Sequence, residues 1–294
     1  MKFENNLNTN NMYKFNPILK TMVWGTESWV LSGVPGNESV VAEGPDAGKK
    51  ISDIWPGRFP LLIKFIDARK DLSIQVHPND ELAAKRHNCK GKTEMWYVIG
   101  ASEGAHLLSG LKEKIDPEKY VELVENDKIV SVLADYPVKA GDVFFLPAGR
   151  IHAIGGGCYI AEIQQTSDIT YRIYDYGRLG LDGKPRQLHT QEAKDAIDYT
   201  VSGDYRTHYV ARQNANVEIV KCPFFTTSLL ELTKPFTLDT SGNGDFTIII
   251  CMEGEGTING TSIKPGEAVL LTSKDGNPEI APSDTGLKML VTHA

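Results

Sequence analysis

Gln75 and His77 are the first residues whose types and spacing could do chemistry. They alternate with apolar residues in the run 72–78, so on a strand both side chains project from one face. On an exposed face this pair needs no partner. On a face that points into a barrel, the amide and the imidazole need a metal ion or a substrate. The pattern alone leaves both readings open.

A second alternating run, residues 91–99, places Lys92, Glu94 and Trp96 on one strand face. A lysine, a carboxylate and an indole side by side resemble the lining of a pocket, with Trp96 as a candidate substrate contact. An exposed strand with a surface ion pair has the same pattern, because surface lysine and glutamate pairs are common and contribute little. The neighbouring motifs decide between the two readings.

Residues 141–152 have the form G-x5-P-x-G-x2-H, with Gly141, Pro147, Gly149 and His152 at the fixed positions. This run resembles the second cupin motif. In cupins the proline and glycine turn reverses the chain, and the histidine that follows points into the barrel and binds a metal. The alternative is a core histidine after a tight turn.

The first cupin motif is less regular in this chain. Cupins usually have H-x-H with a glutamate soon after, whereas here Gln75 and His77 are followed only much later by Glu94. Together with residues 91–94 and 147–152 and the run Gln-Gln-Thr-Ser-Asp-Ile-Thr-Tyr-Arg, this combination resembles the type I mannose-6-phosphate isomerases in their shorter bacterial form. The similarity runs through most of residues 20–200.

The resemblance implies a ligand set and a cofactor. The implied metal ligands are Gln75, His77, Glu94 and His152, and zinc is the usual ion of the family. Two imidazoles with oxygen ligands suit Zn²⁺, although Mn²⁺, Co²⁺ and Fe²⁺ accept the same ligand types.

The resemblance also implies catalytic residues. Arg172 is at the position of the family's essential arginine, Asp168 precedes it by the matching spacing, and Lys92 corresponds to the lysine beside the zinc-binding glutamate. Longer members have a histidine immediately before that lysine, where this chain has Gly91. A proton-transfer role for that histidine therefore does not carry over.

The implied reaction interconverts mannose 6-phosphate and fructose 6-phosphate by moving a proton between C1 and C2 through an enediolate. A metal ion and Arg172 suit the stabilisation of an oxyanion, and Lys92 or Asp168 could transfer the proton. Lys92, Ser109 and Lys112 are candidate contacts of the phosphate.

Two other functions remain open on the sequence alone. One is a metal cupin of another reaction class, a dioxygenase or an epimerase-like enzyme, which would use similar ligands. A glutamine and a glutamate with two histidines argue against the oxygenase. The other is a non-catalytic sugar-binding cupin, in which Arg172 only holds a ligand.

The elements that must position these residues are mostly strands. Short alternating apolar runs separated by Gly, Pro, Asn and Asp are typical of a sandwich or barrel. We predict a mainly β protein of two cupin barrels, which are double-stranded β-helix or jelly-roll-like folds. Three short helices are predicted: one after Asp116 and Pro117, one capped by Thr190, and one over residues 79–87.

The predicted domains are a metal-binding catalytic barrel over residues 1–180, a helical and loop connection over residues 181–212, and a C-terminal barrel over residues 213–294. The second barrel is predicted to be degenerate and metal-free. The motif frame counted from Gly266 reaches Asn277 there instead of a histidine.

Bulk properties exclude several classes of partner. The 294-residue chain has a net charge of -7, which argues against nucleic acid and anionic membranes. The first 20 residues lack the apolar core of a signal peptide, and no apolar run reaches the length that spans a bilayer. The four cysteines have no C-x-x-C spacing. We expect a cytoplasmic monomer or weak homodimer with a sugar-phosphate substrate.

Overall fold

The computed structural model describes residues 12–294 of the chain. Residues 1–11 lie outside the described residues. Two predictions fall partly on them: the start of the first domain and the lack of a signal peptide. Within the described range most regular structure is antiparallel strand, with four short α-helices. The prediction of a mainly β protein with a few short helices is confirmed. No helix in this range is long and apolar enough to cross a membrane.

Strands far outnumber helices along the chain. The strands are β1 (Tyr13–Asn16), β2 (Ile18–Met22), β3 (Gly25–Val34), β4 (Asn37–Glu38), β5 (Val40–Val41), β6 (Leu61–Ala68), β7 (Ile74–Val76), β8 (Glu94–Ala101), β9 (His106–Leu111), β10 (Leu133–Pro137), β11 (Val143–Leu146), β12 (His152–Ile154), β13 (Cys158–Gln165), β14 (Tyr171–Tyr174), β15 (Asn216–Lys221), β16 (Thr226–Leu232), β17 (Phe236–Thr237), β18 (Phe246–Ile258), β19 (Thr261–Ile263), β20 (Ala268–Thr272) and β21 (Glu279–His293). The helices are α1 (Ile51–Ile54), α2 (Asp80–His87), α3 (Pro117–Glu125) and α4 (Thr190–Ala196), and a 3₁₀ turn spans Ile129–Val132.

The described residues form two compact units. The barrel unit consists of Pro17–Ser39 and Ile51–His208, and it includes most of the predicted connection 181–212. The C-terminal unit consists of residues 12–16, Val40–Lys50 and Tyr209–Ala294. The N-terminal residues belong to the C-terminal unit because β1 pairs with β20 and β5.

The barrel unit is built from two antiparallel sheets. One has the strand order β11-β8-β13-β6-β3-β2, with β4 paired to β3, and the other has the order β10-β9-β12-β7-β14. A single apolar cluster contains Trp96 and Ile160 from the first sheet and Leu107 and Ile154 from the second. The two sheets therefore enclose one interior, as in a jelly-roll-like barrel.

Helices α3 and α4 pack on the outer face of the five-stranded sheet, where Tyr120 and Ala193 join a cluster with Ile173 of β14. Helix α3 begins as predicted, because the Asp116 side chain accepts a hydrogen bond from the Lys119 amide. The prediction that Thr190 caps α4 is wrong, since Thr190 is the first helical residue.

His189 occupies the cap position of α4 and forms no side-chain cap hydrogen bond. Its Nδ1 instead accepts the backbone N–H of Arg172 at 3.0 Å. This contact joins the start of the helix to strand β14, and the helix begins directly after it.

The C-terminal unit is one nine-stranded sheet around its own apolar core. The strands β18 and β21 are long, and their pairing shifts register near Cys251 and again near Gly254. Such bulges change which face a side chain occupies, so Ile249 and Ile258 of β18 both reach the core. Asn259 and the glycine after it have positive φ and form the two-residue turn expected of an Asn-Gly hairpin.

A substitution at Gly254 tests whether the pairing of β18 with β21 depends on close contact between their backbones. Its φ is +73° and an added Cβ would lie 2.1 Å from the carbonyl oxygen of Gly286, so Gly254→Ala must push two strands apart. We expect a loss of about 3 kcal/mol in the free energy of unfolding, measured by urea denaturation.

Gly266→Ala is the matched control, because Gly266 has φ +85° but nothing within 4 Å of an added Cβ. We expect this variant to lose only about 1 kcal/mol from left-handed strain. Equal losses in the two variants would show that crowding at Gly254 has no effect.

Candidate metal centre

A row of polar residues crosses the five-stranded sheet of the barrel unit. Ser109 pairs with His152, His152 with Gln75, and Gln75 with Arg172. Residues directly opposite each other on antiparallel strands project from the same face. The four side chains therefore share one face of this sheet.

A second row crosses the seven-stranded sheet. Trp96 pairs with Glu162, Glu162 with Lys64, and Lys64 with Trp29. Glu94, two residues before Trp96, lies on the same face of β8. The ring of Trp96 meets that of His152 edge-on with centroids 5.3 Å apart, so the two rows face each other across the interior.

The facing rows bring the four predicted ligand residues together. His152 Nε2 lies 3.3 Å from Glu94 Oε1, and His77 Nε2 lies 3.6 Å from Glu94 Oε2. The ligand atoms of these three residues all lie within 4.8 Å of one another. The amide end of Gln75 is 3.3 Å from His152 Nε2. Among the described residues, His77, Glu94 and His152 are the one group of three with this arrangement.

Both imidazoles are oriented by backbone carbonyls. His77 Nδ1 lies 2.8 Å from the oxygen of Ile169, and His152 Nδ1 lies 2.8 Å from the oxygen of Arg150. A carbonyl can only accept, so each Nδ1 carries the hydrogen. This leaves the Nε2 lone pairs directed towards Glu94, as in histidines that bind metals.

Burial sets the charge state of the three residues. It lowers the pKa of His152 to about 3 and that of His77 well below its ordinary value, so both are neutral and can donate lone pairs. Burial, together with the charge of Glu162, raises the pKa of Glu94 to about 7. Glu94 Oε1 has no hydrogen-bond partner among the described residues. A divalent cation would satisfy this carboxylate, and the donor set fits one.

The predicted turn places His152 in this group. Gly149 has φ +92°, and its N–H donates to the carbonyl of His77 at 2.9 Å. Its own carbonyl accepts from the amide of Asp198 at 2.8 Å. The turn is therefore joined to the strand end that carries His77, and the two histidine rings lie 4.8 Å apart.

Lys92 lies against the ligand atoms. Its Nζ is 2.8 Å from Glu94 Oε2, 3.1 Å from His77 Nε2 and 3.8 Å from Glu162 Oε1. The side chain is almost completely buried. Lys92 therefore sits between the three ligand residues and a second carboxylate.

That second carboxylate was missed in the sequence. Glu162 accepts hydrogen bonds from Lys64 Nζ at 3.0 Å and from Trp96 Nε1 at 2.9 Å. Burial opposes its ionisation, but Lys64 and Lys92 outweigh burial and lower the pKa of Glu162 to about 2. The same pairing raises the pKa of Lys64 against its own burial. Lys64 is the one charged residue in the apolar run 61–66, and Glu162 is the one charged residue of β13, which was the available signal.

A cavity of about 530 Å³ reaches this centre at Gln75 and Lys92, while His77, Glu94 and His152 are not part of its lining. Gln75, Lys92, Asp168 and Arg172 line it. The cations along its wall are Lys20, Arg58, Lys64, Lys92, Arg172 and Arg186, and the carboxylates are Glu27, Glu162 and Asp168. The excess of cations suits an anionic ligand.

Three predicted contacts do not line this cavity. Trp96 is fully buried and its indole N–H bonds to Glu162. Ser109 is buried on the side of His152 away from Gln75, and Lys112 is exposed beyond the end of β9.

Comparison with known proteins places this geometry in a family. Residues 19–101 match the model of the phosphomannose isomerase type I catalytic domain. Mannose-6-phosphate isomerase ManA of Bacillus subtilis is 32% identical over 291 residues, covering 87% of this chain and 91% of that protein. Mannose-6-phosphate isomerase of Streptococcus mutans is 32% identical over 244 residues, covering 79% and 76%. The crystal structure of a Bacillus subtilis mannose 6-phosphate isomerase superposes with a TM-score of 0.88 at 27% identity, covering 96% of this chain and 99% of that one.

His152→Ala tests the metal centre. We expect the purified wild type to retain about one divalent ion per chain after dialysis and the variant to lose it, because one of two imidazole ligands is gone. Metal content by mass spectrometry is the measurement. His208→Ala, at an exposed histidine paired with Asp204, is the control and should retain the ion. Equal metal content in all three proteins would contradict the assignment.

Proposed function

The chain belongs to the type I phosphomannose isomerases, and on that premise we propose that it interconverts mannose 6-phosphate and fructose 6-phosphate. One observation carries the proposal: the buried group of His77, Glu94 and His152 lies beside a cavity that Lys92 and Arg172 line. The reaction removes a weakly acidic C–H proton and places negative charge on a sugar oxygen. A site for it needs a group that accepts the proton and groups that stabilise the charge.

We propose zinc as the ion held by Gln75, His77, Glu94 and His152. Two neutral imidazoles, one carboxylate and one amide oxygen match its borderline ligand preference. The terminal amide of Gln75 can turn its oxygen or its nitrogen towards His152. When bound, the ion supplies a Lewis acid for the oxygen on which negative charge develops.

Arg172 is the proposed oxyanion partner. It faces Gln75 across neighbouring strands and lines the cavity. Its Nη1 donates to the carbonyl of Gln187 at 2.9 Å, which restrains the position of the guanidinium. Its buried Nε has no hydrogen-bond partner among the described residues. A buried donor without a partner is costly, so this N–H is suited to a ligand oxygen.

Lys92 and Asp168 are the proposed proton-transfer groups. Lys92 is next to the ligand atoms, at the deep end of the cavity, where C1 and C2 must lie if O1 and O2 are to reach the ion. Asp168 is exposed on the cavity lining, where its carboxylate can accept a proton. We favour Lys92 because of its position. Asp168 remains the second candidate.

The competing functions receive no support from the comparisons. The similar proteins carry isomerase names, so neither an oxygenase, an epimerase-like enzyme nor a non-catalytic sugar-binding cupin is favoured. We propose the cytoplasm as the compartment, because the substrate is a phosphorylated sugar and all four cysteines are free thiols.

Turnover with and without a chelator tests the proposed function. Purified protein incubated with mannose 6-phosphate should form fructose 6-phosphate, followed with coupling enzymes. A chelator should abolish this activity and added Zn²⁺ should restore it, because the ion stabilises the oxyanion. Absence of turnover by metal-loaded protein would remove the proposal.

Arg172→Ala tests the arginine separately from the metal. We expect kcat to fall about 100-fold or more, because a donor to the developing charge is lost, while the metal content stays near that of the wild type. Arg69→Ala removes an exposed arginine paired with Asp67 and should change kcat by about twofold at most. Full activity in Arg172→Ala would show that the proposed role is wrong.

A further inference from the structure

Asp175, directly after strand β14, is a buried carboxylate that holds two arginines. Its Oδ1 accepts from Arg178 Nε at 2.8 Å. Arg186 donates two hydrogen bonds to the same carboxylate, from Nε to Oδ2 at 2.7 Å and from Nη2 to Oδ1 at 2.5 Å. A two-point contact of this kind fixes the position and the plane of the Arg186 guanidinium.

A third guanidinium lies close to this pair. Burial lowers the pKa of Arg172, and the positive charges of Arg186 and Arg178 lower it further, while Asp175 acts in the opposite direction. Arg172 and Arg186 both line the cavity, while Asp175 binds Arg186 and Arg178. The repulsion between Arg172 and Arg186 would be relieved by an anion placed between them.

Arg186 differs from Arg178 in what it faces. Arg186 lines the 530 Å³ cavity and Arg178 does not. The Nε and Nη2 of Arg186 both donate to Asp175. The Nη1 of Arg186 forms no hydrogen bond within residues 12–294. Arg186 therefore presents an immobilised cationic donor to the cavity.

The chain path shows on which side of Arg172 this donor lies. The His189 N–H donates to the carbonyl of Arg172 at 2.7 Å, so the segment after Arg186 runs along the open edge of β14. Gln75 pairs with Arg172 from the opposite side. The segment that carries Arg186 therefore lies on the side of Arg172 away from Gln75.

We propose that Arg186, positioned by Asp175, binds the phosphate group of the substrate and gives the site its preference for a phosphorylated sugar. The proposal rests on the proposed function. A hexose phosphate carries its reacting carbons and its phosphate at opposite ends. The cavity is lined by Gln75 and Lys92, which contact the other metal ligands, and by Arg172 and Arg186, and the Arg186 segment lies on the side of Arg172 away from Gln75. A guanidinium whose plane is already fixed loses little freedom when it binds the phosphate oxygens.

The competing explanation is that Arg186 only anchors its own loop to Asp175. The two roles differ in what they change. A phosphate contact affects the KM for mannose 6-phosphate and the inhibition constant of inorganic phosphate, with little effect on kcat. A loop anchor affects thermal stability, with no selective effect on phosphate.

The experiment compares the metal-loaded wild type with Arg186→Gln, Arg186→Lys and Lys184→Gln. Lys184 is exposed in the same loop, so Lys184→Gln removes the same charge without touching the cavity. Initial rates with mannose 6-phosphate give KM and kcat, and competition by inorganic phosphate gives an affinity that does not depend on the chemical step.

In Arg186→Gln we expect KM and the inhibition constant of phosphate each to rise about 10- to 100-fold, the range of a lost charge-assisted hydrogen bond. The kcat should stay within about threefold, because the reacting end is untouched. Arg186→Lys should lie between Arg186→Gln and the wild type. Lys184→Gln should match the wild type.

Unchanged KM and phosphate inhibition in Arg186→Gln would overturn the proposal. So would a lower melting temperature and a lower kcat with unchanged phosphate inhibition. If Arg186→Gln does not fold, Arg186→Lys decides: an ammonium group cannot keep the two-point contact with Asp175 and also supply the donor of Nη1, so wild-type constants in that variant would overturn the proposal. If the wild type itself gives no turnover, the proposed function fails. Calorimetric titration of the wild type and Arg186→Gln with mannose 6-phosphate then shows whether Arg186 binds the phosphate.

Discussion

The burial of Glu94 is the constraint on which the rest of the site depends. A carboxylate in the interior is costly unless it is paired, yet one oxygen of Glu94 has no hydrogen-bond donor among the described residues and burial raises its pKa to about 7. The two neighbouring imidazoles are held neutral, with their lone pairs turned to the same point. Lys92 compensates part of the charge. A divalent cation satisfies the carboxylate and both imidazole lone pairs at once.

A second buried ion pair lies beside this arrangement. Lys64 and Glu162 face each other across β6 and β13, and Trp96 adds a hydrogen bond to the carboxylate. Breaking such a pair leaves an uncompensated buried charge. Glu162 therefore positions two neighbours of the metal ligands. It accepts a hydrogen bond from the Trp96 indole, which packs on His152, and it shares Lys92 with Glu94.

The cavity changes character along its length. At the deep end the positive charges of Lys92 and Lys64 are matched by the negative charges of Glu94 and Glu162. Beyond Arg172, two guanidiniums, those of Arg178 and Arg186, bind the one carboxylate of Asp175. A ligand that is neutral at its reacting end and anionic at the other matches this gradient. The family to which the chain belongs acts on such a molecule.

The sequence by itself determined the strand faces and the motif turn. Alternation put Gln75 with His77 and Lys92 with Glu94, and a turn that requires glycine at position 149 delivered His152. Such local signals follow from backbone geometry, which neighbouring residues set. The sequence also suggested Trp96, Ser109 and Lys112 as ligand contacts, and the structure turns none of them to the cavity. Only the tertiary structure paired Glu162 with Lys64 and Asp175 with Arg186. These contacts depend on strand register and on the path of a loop, which residues far apart in the chain decide together.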